Sequence, residues 1–274
     1  MKNELKFESP SFAKRLKGML GVDFYRLFHT PMFYIFLAIA AIIPAMVSAM
    51  TMMPDQNGNT MEPLYSNVWQ IMAASEPLYV INAISDYANM NMVFIFGGIM
   101  VSIFIGNDYR SGYVKQLFTT HALKQDYMMS KTLVSAFSMA CMCVTYLIGS
   151  VAAGALVGLD FSVNVGSLLC AVIGKLIMSL GWASLYAFLN VIFRKFFGVS
   201  IASCFFFGTG ILIIGAAAIL GNSSILNIFL YGSSVYACLS SNILTVLVCL
   251  VCSAAWTVIY TIAGTRVLNT CDVY

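Results

Sequence analysis

Apolar residues occur along the chain in six runs that are long enough to cross a bilayer as helices. A transmembrane helix needs about 20 predominantly apolar residues to span the hydrocarbon. The pattern predicts spans at about residues 32–53, 87–105, 132–159, 165–193, 196–220 and 242–264, with a kink at Pro44 in the first. The sequence therefore predicts an all-α integral membrane protein whose six-helix domain covers residues 31–274.

An amphipathic helix is predicted ahead of the first span, from Ser11 to Phe28, within an N-terminal segment of residues 1–30. Asp23 projects onto its apolar side, against the general pattern, and Pro31 ends it. Its apolar face is made of Phe12, Leu16, Met19, Leu20, Phe24 and Leu27. Such a helix is expected to lie on the cytosolic leaflet, either as a simple anchor or as a gating element.

The cations fall almost entirely on one set of connections between the spans. Of the 14 Lys and Arg residues, six precede the first span, four lie between the second and third, two between the fourth and fifth, and one after the sixth. On the opposite connections every charged residue is acidic, among them Glu62 and Asp160. Because cytoplasmic connections of membrane proteins are rich in Lys and Arg, both termini are predicted to be cytosolic.

Composition agrees with this topology. Apolar residues make up 60% of the 274, charged residues only 9%, and the mean hydropathy is +0.87. A soluble domain carries about 25% charged residues, so a soluble enzyme and a nucleic-acid-binding protein are both excluded. The eight cysteines lie mostly in apolar runs, where they act as small hydrophobic residues and imply no disulfide framework.

The two longer outside connections are semi-apolar. The first, about Pro54–Asp86, contains a turn signal at Asp55–Gly58. The second contains the short apolar run Ile225–Tyr231, bracketed by Gly221–Asn222 and Gly232–Ser234. This run is too short to span, so short re-entrant or interfacial helices are predicted before the last span.

The cytosolic connection between the second and third spans, Gly106–Lys131, carries the most informative pattern. Its centre, about Ser111–Thr119, predicts a short helix with one apolar and aromatic side. The members of that side are Tyr113, Val114, Leu117 and Phe118, while Lys115 lies elsewhere. An exposed patch of this kind suits a groove on another protein, and the alternative is an ordinary charged connector.

This connection resembles the cytosolic loop of ABC-2 type transporter permeases. In that family an acidic residue closes the second span, a Gly and an aliphatic-Lys-x-Leu-Leu/Phe run follow, and Ser/Ala-Lys opens the third span. The matching positions here are Asp108, Gly112, Val114–Phe118 and Ser130–Lys131. The six predicted spans, the amphipathic helix and the apolar stretch before the last span also match the family.

The resemblance implies that the loop is a coupling helix held by a separate cytosolic ABC ATPase, which binds ATP and Mg²⁺. The coupling residues would be Asp108, Arg110, Gly112, Tyr113, Val114, Lys115, Leu117 and Phe118. This chain lacks the Gly-x4-Gly-Lys-Ser/Thr loop, so it is predicted not to be an enzyme and to need no cofactor of its own. The family further implies pairing with a second copy or a paralogue in the plasma membrane, and export of an amphiphilic substrate, as in its antibiotic and lantibiotic efflux branch.

One cation, Lys175, lies about ten residues inside the fourth predicted span. Two interpretations stay open: contact with an anionic substrate or lipid in a polar cavity, and snorkelling or bonding to neighbouring helices. A second functional class also stays open, because an ATP-independent transporter or channel can bind its substrate with neutral groups.

Overall fold

The computed structural model describes residues 11–50, 52–54, 61–63, 67–68, 92–120, 122–162, 165–210, 228–239 and 243–270. In chain order the elements are α1 (Phe12–Phe28), α2 (Pro31–Met50), β1 (Met52–Pro54), β2 (Met61–Pro63), α3 (Met92–Arg110), α4 (Tyr113–Thr119), α5 (Lys124–Val157), α6 (Val165–Ile192), α7 (Phe197–Gly208), α8 (Leu230–Leu239) and α9 (Ile243–Thr270). The predicted helical class is confirmed, with one short strand pair added to it.

Several of these helices are long and apolar enough to cross a membrane. Among the described residues they are α3, α5, α6 from Leu168 onward, and α9. The first part of α2 forms a fifth candidate together with α1, and the two meet at a bend of 66°. The protein is therefore a helical membrane-spanning protein with four or five candidate spans in the described ranges, compared with six predicted.

The helix at the start of the predicted fifth span ends within the described residues. The corresponding helix, α7, ends at Gly208, and the chain turns at Gly210, where φ is +66°. Twelve residues of α-helix measure about 18 Å, which is less than the roughly 30 Å of hydrocarbon. The rest of the predicted span, from residue 211, lies outside the described residues.

The helix before the last span is longer and more deeply packed than the pattern indicated. Gly232–Ser234 was expected to end it, but α8 runs through these residues to Leu239. Ser234 Oγ donates to the Leu230 carbonyl at 2.7 Å and accepts a hydrogen bond from Trp182 Nε1 at 2.8 Å. Small side chains at this point therefore let α8 pack against α6, where a loop had been predicted.

The connection between α2 and α3 begins with a strand pair. β1 and β2 are antiparallel, with Met52 opposite Pro63, and the turn signal at Asp55–Gly58 lies between them, outside the described residues. Further along, Asn67 Nδ2 donates to the Ser162 carbonyl at 2.6 Å. This contact joins the connection to the link between α5 and α6.

Large aromatic side chains fill the centre of the bundle between α3 and α6. Trp182 and Tyr186 are buried, and the Trp182 ring stacks on Phe94 with centroids 5.6 Å apart. Tyr186 Oη donates to the Phe94 carbonyl at 2.9 Å. Buried aromatic side chains of this kind combine a large apolar contact with a hydrogen bond at the polar tip, which fixes how the two helices face each other.

Close approach of α2 and α5 depends on a glycine. A Cβ built on Gly149 would clash with the backbone carbonyl oxygen of Ala41, which cannot move without displacing α2. A Cβ built on Gly154, in the third predicted span, would clash with the side chain of Val68, in the connection between α2 and α3. These small residues therefore serve packing inside one copy of the chain.

We expect Gly149→Ala to lower the free energy of unfolding by about 1–3 kcal/mol, because the added methyl group overpacks a contact with backbone. The matched control is Gly21→Ala, at an exposed position of α1 where a Cβ meets nothing within 4 Å. Unfolding curves in mixed detergent micelles measure both. A Gly149→Ala variant as stable as Gly21→Ala would contradict the close approach of α2 and α5.

Candidate functional site

Four charged side chains form a buried cluster where α1, α3 and α5 meet. Lys131 Nζ lies 2.6 Å from Asp23 Oδ1 and 2.6 Å from Asp108 Oδ2. Arg26 Nη2 lies 2.5 Å from Asp108 Oδ1, and its Nη1 is 4.0 Å from Asp23 Oδ1. Two cations thus face two carboxylates, and the cluster is neutral. We call these four residues the ion cluster.

Burial in the ion cluster is nearly complete. The side chains of Asp23 and Asp108 are 0% exposed and that of Lys131 is 1% exposed, whereas Arg26 is 28% exposed. Ser130 Oγ donates to Asp23 Oδ2 at 2.6 Å, and Tyr127 Oη donates to Asp108 Oδ2 at 3.3 Å. Each carboxylate therefore receives donors from α5 in addition to its ion pairs, as buried charges require.

Aromatic rings close the cluster on two sides. The Arg26 guanidinium lies 4.1 Å from the centroid of the Tyr113 ring, and Lys131 Nζ lies 4.5 Å from that of Phe104. Both distances are within the range of a cation–π contact. Burial raises the pKa of the Tyr113 phenol, and the nearby Asp23 carboxylate raises it further, so the ring stays neutral against the guanidinium.

One residue of this cluster, Asp23, already departs from the sequence pattern. Asp23 was the charged residue that fell on the apolar face of the predicted helix at Ser11–Phe28, which is observed as α1. The structure explains the anomaly, because that face packs on α5 and Asp23 meets Lys131 there. The spacing of residues within one segment could not show that Lys131 pairs with Asp23, or that Arg26 belongs to the same cluster.

α4 begins directly after α3, through a glycine turn. Gly112 has φ +73°, a left-handed conformation that residues with a Cβ rarely adopt, and it separates the end of α3 at Arg110 from the start of α4. The Arg110 guanidinium lies 5.1 Å from the Phe197 ring centroid, so the end of α3 contacts the start of α7. Asp108, in the last turn of α3, belongs to the ion cluster.

The apolar side of α4 faces the protein and not the solvent. Val114 is 1% exposed and belongs to the hydrophobic core, and Leu117 and Phe118 are half-buried against that core. Tyr113 is half-buried against Arg26. The Phe118 ring packs edge-on against Tyr127 at 5.6 Å. Of the predicted exposed patch, Val114 is therefore buried, and the other three side chains are only partly exposed, because Tyr113 contacts Arg26 and Phe118 contacts the start of α5.

The other side of α4 is exposed and polar. It presents Lys115, Gln116 and Thr119 outward, followed by Thr120. Thr119 Oγ1 donates to the Gln116 carbonyl at 2.7 Å, and Thr120 Oγ1 donates to the Leu117 carbonyl at 2.7 Å, so both hydroxyls satisfy the end of the helix. A partner that approached α4 would meet this polar side first.

Lys175 lies away from the ion cluster, inside α6. Its residue exposure is 1%, and its Nζ lies 5.6 Å from the Phe94 ring centroid. The ammonium therefore faces the contact between α6 and α3, so Lys175 does not snorkel outward, while bonding to neighbouring helices and contact with a substrate both stay predictions. Within the described ranges, no group of three or more His, Cys, Asp or Glu side chains could hold a metal ion.

Comparison with known proteins adds no relative to this description. No protein-family model matches the chain, and no curated protein matches it either.

We expect Lys131→Met to lower the free energy of unfolding by about 3–5 kcal/mol, because it leaves two buried carboxylates with a single cation. Unfolding in mixed detergent micelles measures the loss. Release of α1 from α5 should also speed tryptic cleavage after Lys14 and Lys17, which are exposed on α1.

The control is Lys14→Met, which removes an exposed cation from α1 and should change stability by less than about 0.5 kcal/mol. Equal unfolding midpoints for the two variants would contradict the structural role of the ion cluster.

Proposed function

We propose that this chain is the membrane-spanning subunit of an ATP-driven exporter of the ABC-2 type. It moves an amphiphilic substrate (a peptide antibiotic, a drug or a lipid) across the cytoplasmic membrane with energy from a separate ATPase. The observation that carries the proposal is α4, a short helix fixed to three others through the ion cluster, with a polar side turned outward. This arrangement is suited to receive a force from another protein.

Contacts with the ion cluster and with α5 would let α4 transmit a displacement to the neighbouring helices. A loop with few contacts would change its own conformation when a partner displaced it. By contrast, Tyr113 of α4 contacts Arg26 of α1, and Phe118 of α4 packs against Tyr127 of α5. Displacement of α4 is therefore passed to α1, α3 and α5 together. In the proposed cycle, closure of an ATPase pair on ATP and Mg²⁺ moves α4, and the spans follow.

The predicted coupling residues, to which we add the exposed Gln116 and Thr119 beside Lys115, divide into two groups in this proposal. Lys115, Gln116 and Thr119 contact the ATPase. The others position α4: Asp108, Arg110, Gly112, Tyr113, Val114, Leu117 and Phe118. This division replaces an apolar docking patch with a polar one, because the apolar residues are already packed against the protein itself.

The proposal includes the full topology: six spans, cytosolic termini, α1 on the surface of the cytosolic leaflet, and pairing with a second copy or a paralogue. Contacts between the basic connections support it. Lys124 Nζ donates to the Leu268 carbonyl at 2.6 Å, which brings the start of α5 to the end of α9. Arg110 at Phe197 and Arg26 at Asp108 bring two further segments to the same end: the connection between the fourth and fifth predicted spans, and the N-terminal segment.

We expect a photoreactive benzophenone amino acid at Gln116 to cross-link the chain to a Walker-motif ATPase in its native cells. Gln116 is exposed at the centre of the proposed contact, and mass spectrometry of the cross-linked band identifies the partner. The same amino acid at Asn269, which is exposed at the end of α9, serves as the control and should give no such band.

Two results would overturn the assignment. One is cross-linking to the ATPase from residue 269 but not from residue 116. The other is transport that continues after ATP depletion, which would favour an ATP-independent transporter or channel.

We also propose that Lys175 contacts an anionic group of the substrate during transport. Lys175→Met should fold and assemble, because an apolar chain of similar length replaces a buried ammonium, but it should lose export. Protection of growth against a panel of amphiphilic antibiotics measures export, and Lys175→Arg, which keeps the charge, is the matched variant. Unchanged protection by Lys175→Met would remove the residue from the mechanism.

A further inference from the structure

A groove of about 690 Å³ lies between α1, α4 and the start of α5. Its walls are mostly apolar and include Met19 and Val22 from α1, Leu117 from α4, and Leu123 before α5. Gly18 forms part of the α1 wall, and a Cβ at Gly18 would meet nothing within 4 Å, so the groove is open where a side chain would otherwise fill it.

Charged groups of both signs lie in this groove. Lys14 and Arg15 line it from α1, and Asp126 lines it from the first turn of α5. Arg15 Nε donates to Asp126 Oδ2 at 2.8 Å, and the Asp126 side chain is only 2% exposed. A ligand with both a negative and a positive group would find a counterpart for each.

One carboxylate oxygen of Asp126 lacks a hydrogen-bond donor among the described residues. Its Oδ1 is buried and has no hydrogen-bond partner among the described residues. Buried carboxylate oxygens are almost always hydrogen-bonded, so an N–H donor in the groove would complete the site. Leu123, the residue before α5, provides no side-chain cap, so the first-turn N–H groups of α5 are available to an anionic oxygen nearby.

The surroundings of the groove indicate the depth at which it lies. Exposed aromatic side chains lie along α1 and at the start of α2: Phe12 is 42% exposed, Tyr25 64%, Phe28 41% and Tyr34 54%. Aromatic side chains at the ends of spans are typical of the headgroup layer of a bilayer. The bend of 66° between α1 and α2 turns α1 away from the direction of the span.

We propose that this groove binds a phospholipid with a primary ammonium headgroup, phosphatidylethanolamine, from the cytosolic leaflet. The phosphate accepts from Lys14, Arg15 and the first turn of α5. The ammonium donates to Asp126 Oδ1, and the adjoining glycerol and acyl carbons lie along Met19 and Leu117. The inference rests on the membrane-surface position of α1 and not on an ATPase, so its failure leaves the transport proposal standing.

The test measures lipid retention by native mass spectrometry on the purified full-length chain. Phosphatidylethanolamine, phosphatidylglycerol and phosphatidylcholine with identical acyl chains are titrated separately. We expect the ethanolamine lipid to bind roughly tenfold more tightly than the other two, because a hydrogen bond to a charged group has about that effect. The glycerol headgroup has no cation, and the choline headgroup has no N–H.

The decisive variant is Gly18→Leu, which fills the groove with a side chain that the helix accommodates. Its matched control is Gly21→Leu, where a Cβ also meets nothing within 4 Å but the position does not line the groove. We expect loss of phosphatidylethanolamine retention in the first variant and unchanged retention in the second. Asp126→Asn should reduce the preference for ethanolamine over choline.

Three outcomes would overturn the proposal. Equal retention by the Gly18 and Gly21 variants would place the lipid elsewhere. Binding of phosphatidylglycerol as tight as that of phosphatidylethanolamine would refute the ammonium contact with Asp126. Loss of a co-purifying protein in Gly18→Leu, with lipid retention intact, would make the groove a protein-docking site.

Discussion

The ion pairs of Lys131 with Asp23 and Asp108 are the interaction on which this end of the molecule depends. In a protein with so few charges, a buried carboxylate next to the hydrocarbon is expensive unless a cation meets it. Lys131 on α5 can satisfy both carboxylates only if α1 and α3 lie against α5 at one level. Arg26 then neutralises the second carboxylate charge through its ion pair with Asp108, and its guanidinium contacts the Tyr113 ring of α4. The position of α4 follows from these contacts.

The cluster also decides which side of α4 is available to a partner. Val114 is buried in the core, and its apolar neighbours Tyr113, Leu117 and Phe118 are only partly exposed. Lys115 and Gln116 are left facing outward. A contact with an ATPase through this polar side would be set by hydrogen bonds and charge, while the apolar side carries the motion inward. In the proposed function, one side of α4 would therefore bind the ATPase and the other side would transmit the motion to the bundle.

The two buried lysines have different surroundings and suit different tasks. Lys131 lies between two carboxylates, so its charge serves the architecture. Lys175 lies beside the Phe94 ring in the middle of α6, far along the chain from the basic connections. At the groove beside α1, Asp126 again pairs with a cation through one oxygen only, which leaves a polar atom for a ligand.

Local pattern was sufficient to predict the apolar helices, the helix α1 and the short helix α4, because length and periodicity are properties of neighbouring residues. It was also sufficient to mark Asp23 as an anomaly. Only the tertiary structure decided what Asp23 pairs with, since its partner Lys131 lies 108 residues away. The inward turn of Val114 and the extension of α8 through Ser234 were decided in the same way. Which face of a helix is buried depends on the helices that meet it, and spacing along one segment contains no information about them.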